Sequence, residues 1–286
     1  MQTILEPETV ASSAPLLNGP SLGATHSPNR RSLTELLAPL DKLAAQSSSF
    51  SRIPWPAFKS GGERYELPRY RFFGPRGGGP YVRVGIFAGV HGDELEGVRA
   101  LVQLAHLFEA RPALAAGYCV YFYPICNPTG IEDRTRHSRS GKDLNREFWQ
   151  NSGEPEVRLL QGELAAGKFD GIIALHTDEQ SRGVYGFARG ATLTRHLLRP
   201  ALSAAADLLP INDDETIDGF RAKDGLIHDC YKGVLSAPPN VRPKPFEIIL
   251  EAPGQAPMFM REAALVVALQ SVFSEYRKFI AYAANL

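Results

Sequence analysis

Charge excess, cysteine and long apolar runs are all scarce in this sequence. Its 31 basic residues balance its 31 acidic ones over 286 positions. It therefore lacks the cationic surface that nucleic acid or an anionic membrane requires. No apolar run approaches the length of a membrane span. The three cysteines, Cys119, Cys126 and Cys230, are odd in number and not in metal-ligand spacing, so buried thiols in a reducing compartment are expected. No G-x-G-x-x-G follows a strand-like run, and "AGVHGDE" puts acids where a pyrophosphate would be repelled, which argues against a dinucleotide binder. "GPRGGGP" is glycine-rich but lacks the Lys-Ser/Thr of a phosphate loop. The opening "MQTILEPETV" has no basic n-region and no apolar h-region, so no secretory signal is expected. Together these absences favour a soluble cytoplasmic protein, with no nucleic-acid and no membrane partner. Oligomeric state is not legible.

What is present is enough apolar sequence, 44% of residues, for one sizeable core. Residues 1–30, rich in Ser, Pro, Gly and Ala without periodicity, read as a flexible N-terminal arm, and residues 31–286 as a single domain. "SLTELLAPLDKLAAQ" reads as a helix, with Ser32 and Glu35 placed as a capping box and Pro39 as a site for a kink. "KSGGERYELPRYRFF" reads as edge strands and a turn. From residue 81 strands and helices alternate. "YVRVGIFAGV", "YCVYFYPIC", "FDGIIALH", "GVYGFARG" and "FEIILEAPG" are strands; "ELEGVRALVQLAHLFEA", "ATLTRHLLRPALSAAADLL" and the tail from Arg261 are helices. The order predicts an α/β fold: a mixed, largely parallel twisted sheet with helices on both faces.

In such folds, sites gather at the C-terminal ends of strands. Four polar groups fall there: His91, Asn127, His176 and Glu251. His91 and Glu94, three apart on a turn, could converge on one metal ion, with His176 as a third ligand from another strand. Glu94 could equally favour a helix N-terminus through the dipole. "TRHSRSGKDLNREF" is either a solvated basic loop or an anion clamp, in which Arg146 and Asn145 hold a carboxylate and Arg136 meets developing negative charge. Glu251, buried at a strand end, needs a cation or a partner; beside a metal it could act as a general base. Glu247 shares its strand parity. Asp178 and Glu179 either cap the next turn or meet a basic substrate group or a second cation.

These motifs resemble the zinc metallocarboxypeptidase family. The likeness rests on "HGDE", "NPTG", "DLNREF", the strand-end "LH" and the final strand-end glutamate, in that order across residues 82–255. The related succinylglutamate desuccinylase/aspartoacylase branch shares "HG-x-E" and "DLNR"-type motifs. The resemblance implies a zinc carboxypeptidase-like catalytic domain over residues 31–286, binding one Zn2+ ion through His91, Glu94 and His176. It implies that Asp143 holds the His91 ring and that Asn145 and Arg146 hold the substrate carboxylate. Arg136 would polarise the scissile carbonyl, and Glu251, with Glu247 as its alternative, would be the base. Tyr231 stands at a plausible distance for the family's substrate-capping tyrosine. The activity implied is hydrolysis of a C-terminal peptide or amide bond. Two other readings stand beside it: an N-acyl amino acid deacylase with the same machinery, and a non-catalytic zinc-binding protein.

Overall fold

A ten-stranded sheet organises the chain. The computed structural model describes residues 30–192 and 194–283, so the arm expected over residues 1–30 lies outside the described residues apart from Arg30. In chain order the strands are β1 (Phe50–Arg52), β2 (Ala57–Ser60), β3 (Glu63–Glu66), β4 (Tyr70–Phe73), β5 (Val82–Phe87), β6 (Tyr118–Tyr123), β7 (Gly171–Asp178), β8 (Tyr185–Gly190), β9 (Thr216–Ile217), β10 (Phe220–Lys223), β11 (Leu226–Ile227) and β12 (Phe246–Pro253). The helices are α1 (Leu33–Gln46), α2 (Glu96–Ala110), α3 (Pro128–Asp133), α4 (Pro155–Ala166), α5 (Thr194–Ala205) and α6 (Met258–Ala283). Sheet order is β1-β4-β6-β5-β7-β12-β8-β11-β10-β9, with β2-β3 a separate hairpin. The central four, β6-β5-β7-β12, are parallel. Antiparallel strands extend the sheet at both sides, β4 against β6 and β8 against β12. The expected mixed sheet is present.

Strand alternation divides the core. Val84, Ile86, Val120, Phe122, Ile173 and Leu175 pack with α1, α2, α5 and α6. Their neighbours Phe87, Tyr121, Tyr123 and Ile172 face the other way and pack with Val157, Leu160 and Leu164 of α4. Helices therefore cover both faces, and the central strands read as near-continuous apolar runs because neither face meets water. Ser32 caps α1 by accepting from the backbone N–H of Glu35 at 3.2 Å, and the helix continues through Pro39.

Several elements differ from the sequence expectation. α2 begins at Glu96, not at Glu94; His91 to Glu94 form a turn ahead of it, closed by the Glu94 N–H on the His91 carbonyl. β4 is an interior strand between β1 and β6, not an edge. α3, α4 and the short β9–β11 were not foreseen. Cys119 and Cys126 are buried, whereas Cys230 is half-buried and lines the cleft described below. Among the described residues no helix is long and apolar enough to cross a membrane.

The chain leaves β5 to one side to form β6, and later returns to form β7 on the other side. Two connections diverging from one strand open a crevice at its C-terminal end. His91 follows β5 and His176 lies near the end of β7, so both stand at that crevice.

Candidate metal centre

His91, Glu94 and His176 are buried and bring one ligand atom each within 4.8 Å of one another. Nδ1 of His91 lies 2.6 Å from Glu94 Oε1, and Nδ1 of His176 lies 2.9 Å from Glu94 Oε2. The two Nδ1 atoms are 3.2 Å apart. Nε2 of His91 lies 3.1 Å from Asp143 Oδ1. With its proton held there, Nδ1 is left with a lone pair aimed at the shared point, which is the tautomer a metal ligand needs. Two imidazole nitrogens and a carboxylate, with that outer support, fit a tetrahedral metal ion with an open position.

The electrostatics agree. Burial opposes charge on His91, but Glu94 and Asp143 outweigh it and raise its pKa to about 9. Burial likewise opposes charge on Glu94, and the two histidines outweigh it, lowering its pKa to about 2. Burial holds His176 below the ordinary histidine value. Three strongly interacting groups packed around one point exchange protons for a cation readily.

Local sequence explains the turn. Gly92 packs against the backbone of Gly130, where a Cβ would lie 1.9 Å from the Gly130 carbonyl carbon, and a Cβ at Gly130 would lie 2.4 Å from Asn127 Nδ2. Asn127 is fully buried, caps α3 by accepting from Gly130 N at 2.9 Å, and donates to the Val90 carbonyl at 3.2 Å. Of the four strand-end groups, Asn127 alone is absent from the cleft lining. It fixes the backbone that carries His91. Asp93 is exposed, leaving Glu94 to face the histidines.

The cleft around the triad has a volume of about 1040 Å3. His91, Glu94, His176, Arg136, Asn145, Arg146, Tyr231 and Glu251 all line it; Asp143 stands behind His91 and Arg136. Glu251 is the register partner of His176 on the adjacent parallel strand. Its side chain makes no hydrogen bond to a described residue, and burial, together with the carboxylates of Glu94, Asp178 and Asp218, holds its pKa well above the ordinary range. Glu247 is absent from the lining and faces Arg189 at 3.9 Å.

The basic loop divides in two. Arg139 is held by Asp133, Glu132, Glu63 and Tyr65, and Lys142 by Glu147, so these are structural. Arg136 lies 3.2 Å from Asp143 and 3.5 Å from Glu94, beside the triad. Arg146 is held by the Asn145 carbonyl at 2.9 Å and stacks 4.1 Å from the centroid of Tyr231. Asn145 accepts from Leu235 N at 2.9 Å, and its Nδ2 lies 3.4 Å from His176 Nε2. Asp178 accepts from Gln180 N, as in a turn cap, and from the Tyr185 hydroxyl. Three partners escaped the sequence reading. Asp218 accepts from the Tyr231 hydroxyl at 3.1 Å. Glu96 pairs with Arg261 at 2.6 Å and accepts from Thr177, next to His176, at 3.1 Å.

Residues 80–211 match the family model of the succinylglutamate desuccinylase/aspartoacylase catalytic domain. That span takes in His91, Glu94, Arg136, Asp143, Asn145, Arg146 and His176. No curated protein matches the chain by sequence. Among solved structures, a candidate metallopeptidase of Shewanella denitrificans is similar at 21% identity and TM-score 0.64, covering 85% of this chain and 87% of the other. A Pseudomonas aeruginosa metallo-carboxypeptidase, solved with (2-guanidinoethylmercapto)succinic acid, is similar at 16% identity and TM-score 0.56, covering 83% and 67%. Bovine thrombin-activatable fibrinolysis inhibitor, solved with tick carboxypeptidase inhibitor, is similar at 16% identity and TM-score 0.62, covering 87% and 98%. These neighbours share the carboxypeptidase fold with this chain, and its residues 80–211 are similar to the succinylglutamate desuccinylase/aspartoacylase catalytic domain.

Proposed function

We propose that this protein is a zinc-dependent hydrolase that cleaves an amide bond in a substrate carrying a free carboxylate. The observation that carries the reading is the placement of the Glu251 side chain, without a hydrogen-bond partner among the described residues, in the same cleft as the His91–Glu94–His176 triad. These three residues would hold one Zn2+ ion, which supplies Lewis-acid charge and makes water a nucleophile near neutral pH.

Glu251, in its ionised form, takes the proton of the attacking water and then passes it to the leaving nitrogen. Arg136 places its guanidinium where negative charge develops on the carbonyl oxygen. Arg146, kept flat by the Tyr231 ring, receives the substrate carboxylate bidentately. Asn145 supports it. When His176 uses Nδ1 as a ligand, its Nε2 carries the ring proton and no longer accepts from Asn145, leaving both amide hydrogens for the carboxylate. Tyr231, tethered to Asp218, closes over the bound substrate.

The substrate is either a peptide cleaved at its C-terminal bond or a small N-acyl amino acid. Both present a carboxylate to Arg146, and the family match over residues 80–211 favours the second. Assays of dipeptides, murein-type peptides and N-acyl amino acids, each with zinc and with chelator, separate the two. Glu251→Gln keeps the ligand set and removes the base, so zinc content should persist while turnover falls about 100- to 10,000-fold. A wild type that binds zinc and turns over nothing in the panel would leave a non-catalytic zinc protein as the better reading.

A further inference from the structure

A second cavity, of about 250 Å3, opens beside α4 and shares no lining residue with the cleft. Strand geometry accounts for its chemistry. Register sets Arg71 of β4 opposite Tyr121 of β6, and Arg83 of β5 opposite Cys119 of β6. Side chains two apart on a strand share a face, so Arg71 and Arg83 stand on the same side of the sheet. Arg69, just ahead of β4, lines the same cavity. The other side chains on this face, such as Leu67, Phe87 and Phe169, are apolar. Arg83 lies near the start of β5, whereas His91 follows its end, so cavity and cleft lie toward opposite ends of that strand.

Counter-charge is short. Glu163 accepts from Arg69 at 2.7 Å with one oxygen and from the Tyr123 hydroxyl at 2.6 Å with the other. Neither Arg71 nor Arg83 meets a carboxylate within ion-pair distance among the described residues; Arg83 donates to the Tyr121 hydroxyl at 2.9 Å. The Nε atoms of all three arginines are buried without a hydrogen-bond partner among the described residues. Arg69 is met by Glu163 and the Pro54 carbonyl, but at Arg71 and Arg83 water has been partly removed and no carboxylate has replaced it. The end of α4, at Ala166 and Gly167, also lines the cavity. Its negative dipole end offsets part of the remaining charge and not two full cations.

The guanidinium groups are also held in place. Arg69 lies 5.0 Å from the Trp55 centroid, Arg71 4.5 Å from Phe73 and Arg83 5.3 Å from Tyr121. An aromatic ring beside each guanidinium restricts its movement, and the paired terminal N–H donors of a guanidinium can grip an oxyanion at two points.

We propose that this cavity binds a phosphate group, free or as a small monoester, between Arg69, Arg71 and Arg83. The test is calorimetric titration of the full zinc-loaded chain with inorganic phosphate and, in parallel, with glycerol 2-phosphate, at low salt. The expected result is one saturable site for at least one of the two, the tighter ligand identifying the source. The double variant Arg71→Gln/Arg83→Gln should bind at least tenfold more weakly, and Arg146→Ala, altered only in the cleft, should bind like the wild type. No saturable binding, equal binding by the double variant, or loss confined to Arg146→Ala would each overturn the proposal. If the double variant does not fold, tungstate soaked into wild-type crystals gives a second answer. An anomalous peak among the three arginines supports the site; a peak only in the cleft, or none, refutes it.

Discussion

Replacing Glu156 by glutamine should change the pH dependence of stability, by an amount the structure specifies. Glu156 lies in the first turn of α4 and is 1% exposed. Neither carboxylate oxygen has a hydrogen-bond partner among the described residues. Burial raises its pKa from 4.5 to about 7, and the Glu154 carboxylate adds to the rise. In the unfolded chain the group ionises near its ordinary value. Between 4.5 and about 7 the unfolded chain therefore releases a proton that the folded chain keeps, and stability is lost as pH rises. At about 1.4 kcal/mol per pH unit the loss reaches about 3 kcal/mol by pH 8, and it is absent below pH ~4.5. Glu156→Gln cannot ionise. Its buried amide carries a cost of its own, but that cost does not vary with pH and cancels in the comparison. Urea unfolding of both proteins at pH ~4.5, ~6 and ~8, at equal metal loading, should show the variant gaining about 3 kcal/mol on the wild type across the range. A difference flat to within about 0.5 kcal/mol, well inside the expected change, would refute the claim that this carboxyl is buried without compensation.

Three further outcomes bear on the cleft. Arg136→Ala should lower turnover about 100- to 1000-fold at unchanged zinc content, because it removes a donor to developing charge and no ligand; near-normal turnover would end that role. Asn145→Ala should raise KM about 10- to 100-fold, as a lost hydrogen bond to a charged group does. It should also destabilise the fold by about 1–3 kcal/mol, because the buried Leu235 N–H loses its acceptor. Chelation should abolish hydrolysis, with recovery on adding zinc. It should also lower the melting temperature, since zinc at about 1000 times its Kd contributes about 4 kcal/mol to the folded state; a melting temperature indifferent to chelator would contradict a site built on His91, Glu94 and His176.

Much of the site was legible because its residues end apolar runs. "VRVGIFAGV", "GIIALH" and "FEIILE" announce buried strands, and a histidine or glutamate at such an end is costly unless it has a partner. Other features were hidden. "PEVRLLQGELAA" mixes polar residues among its leucines and did not stand out, although proline at its first position signals a helix start. β9 and β11 are two residues each, too short for any period. Asn127 read as a site candidate from its place after a strand, and only its contacts with Gly130 and Val90 reveal a cap. For the basic loop the sequence left a solvated run and an anion clamp both open; the contacts put Arg139 in a cage of acids while Arg136 and Arg146 face the cleft.

By itself, the sequence determined the chemistry available: which strands are buried, which ionisable groups stand at their ends, and that His91 and Glu94 are close enough along the chain to converge on one metal ion. These are local properties, set by side-chain type and by the two-residue period of a strand. Only the tertiary structure decided what meets what. Sheet order put β5 beside β7 and β7 beside β12, so groups 85 and 75 residues apart in the chain, His91 to His176 and His176 to Glu251, converge at one crevice. The same order gathered Arg69, Arg71 and Arg83 on one face and packed α4 so that its Glu156 is buried. Strand order and register depend on packing between elements distant in the chain, and no local pattern encodes them.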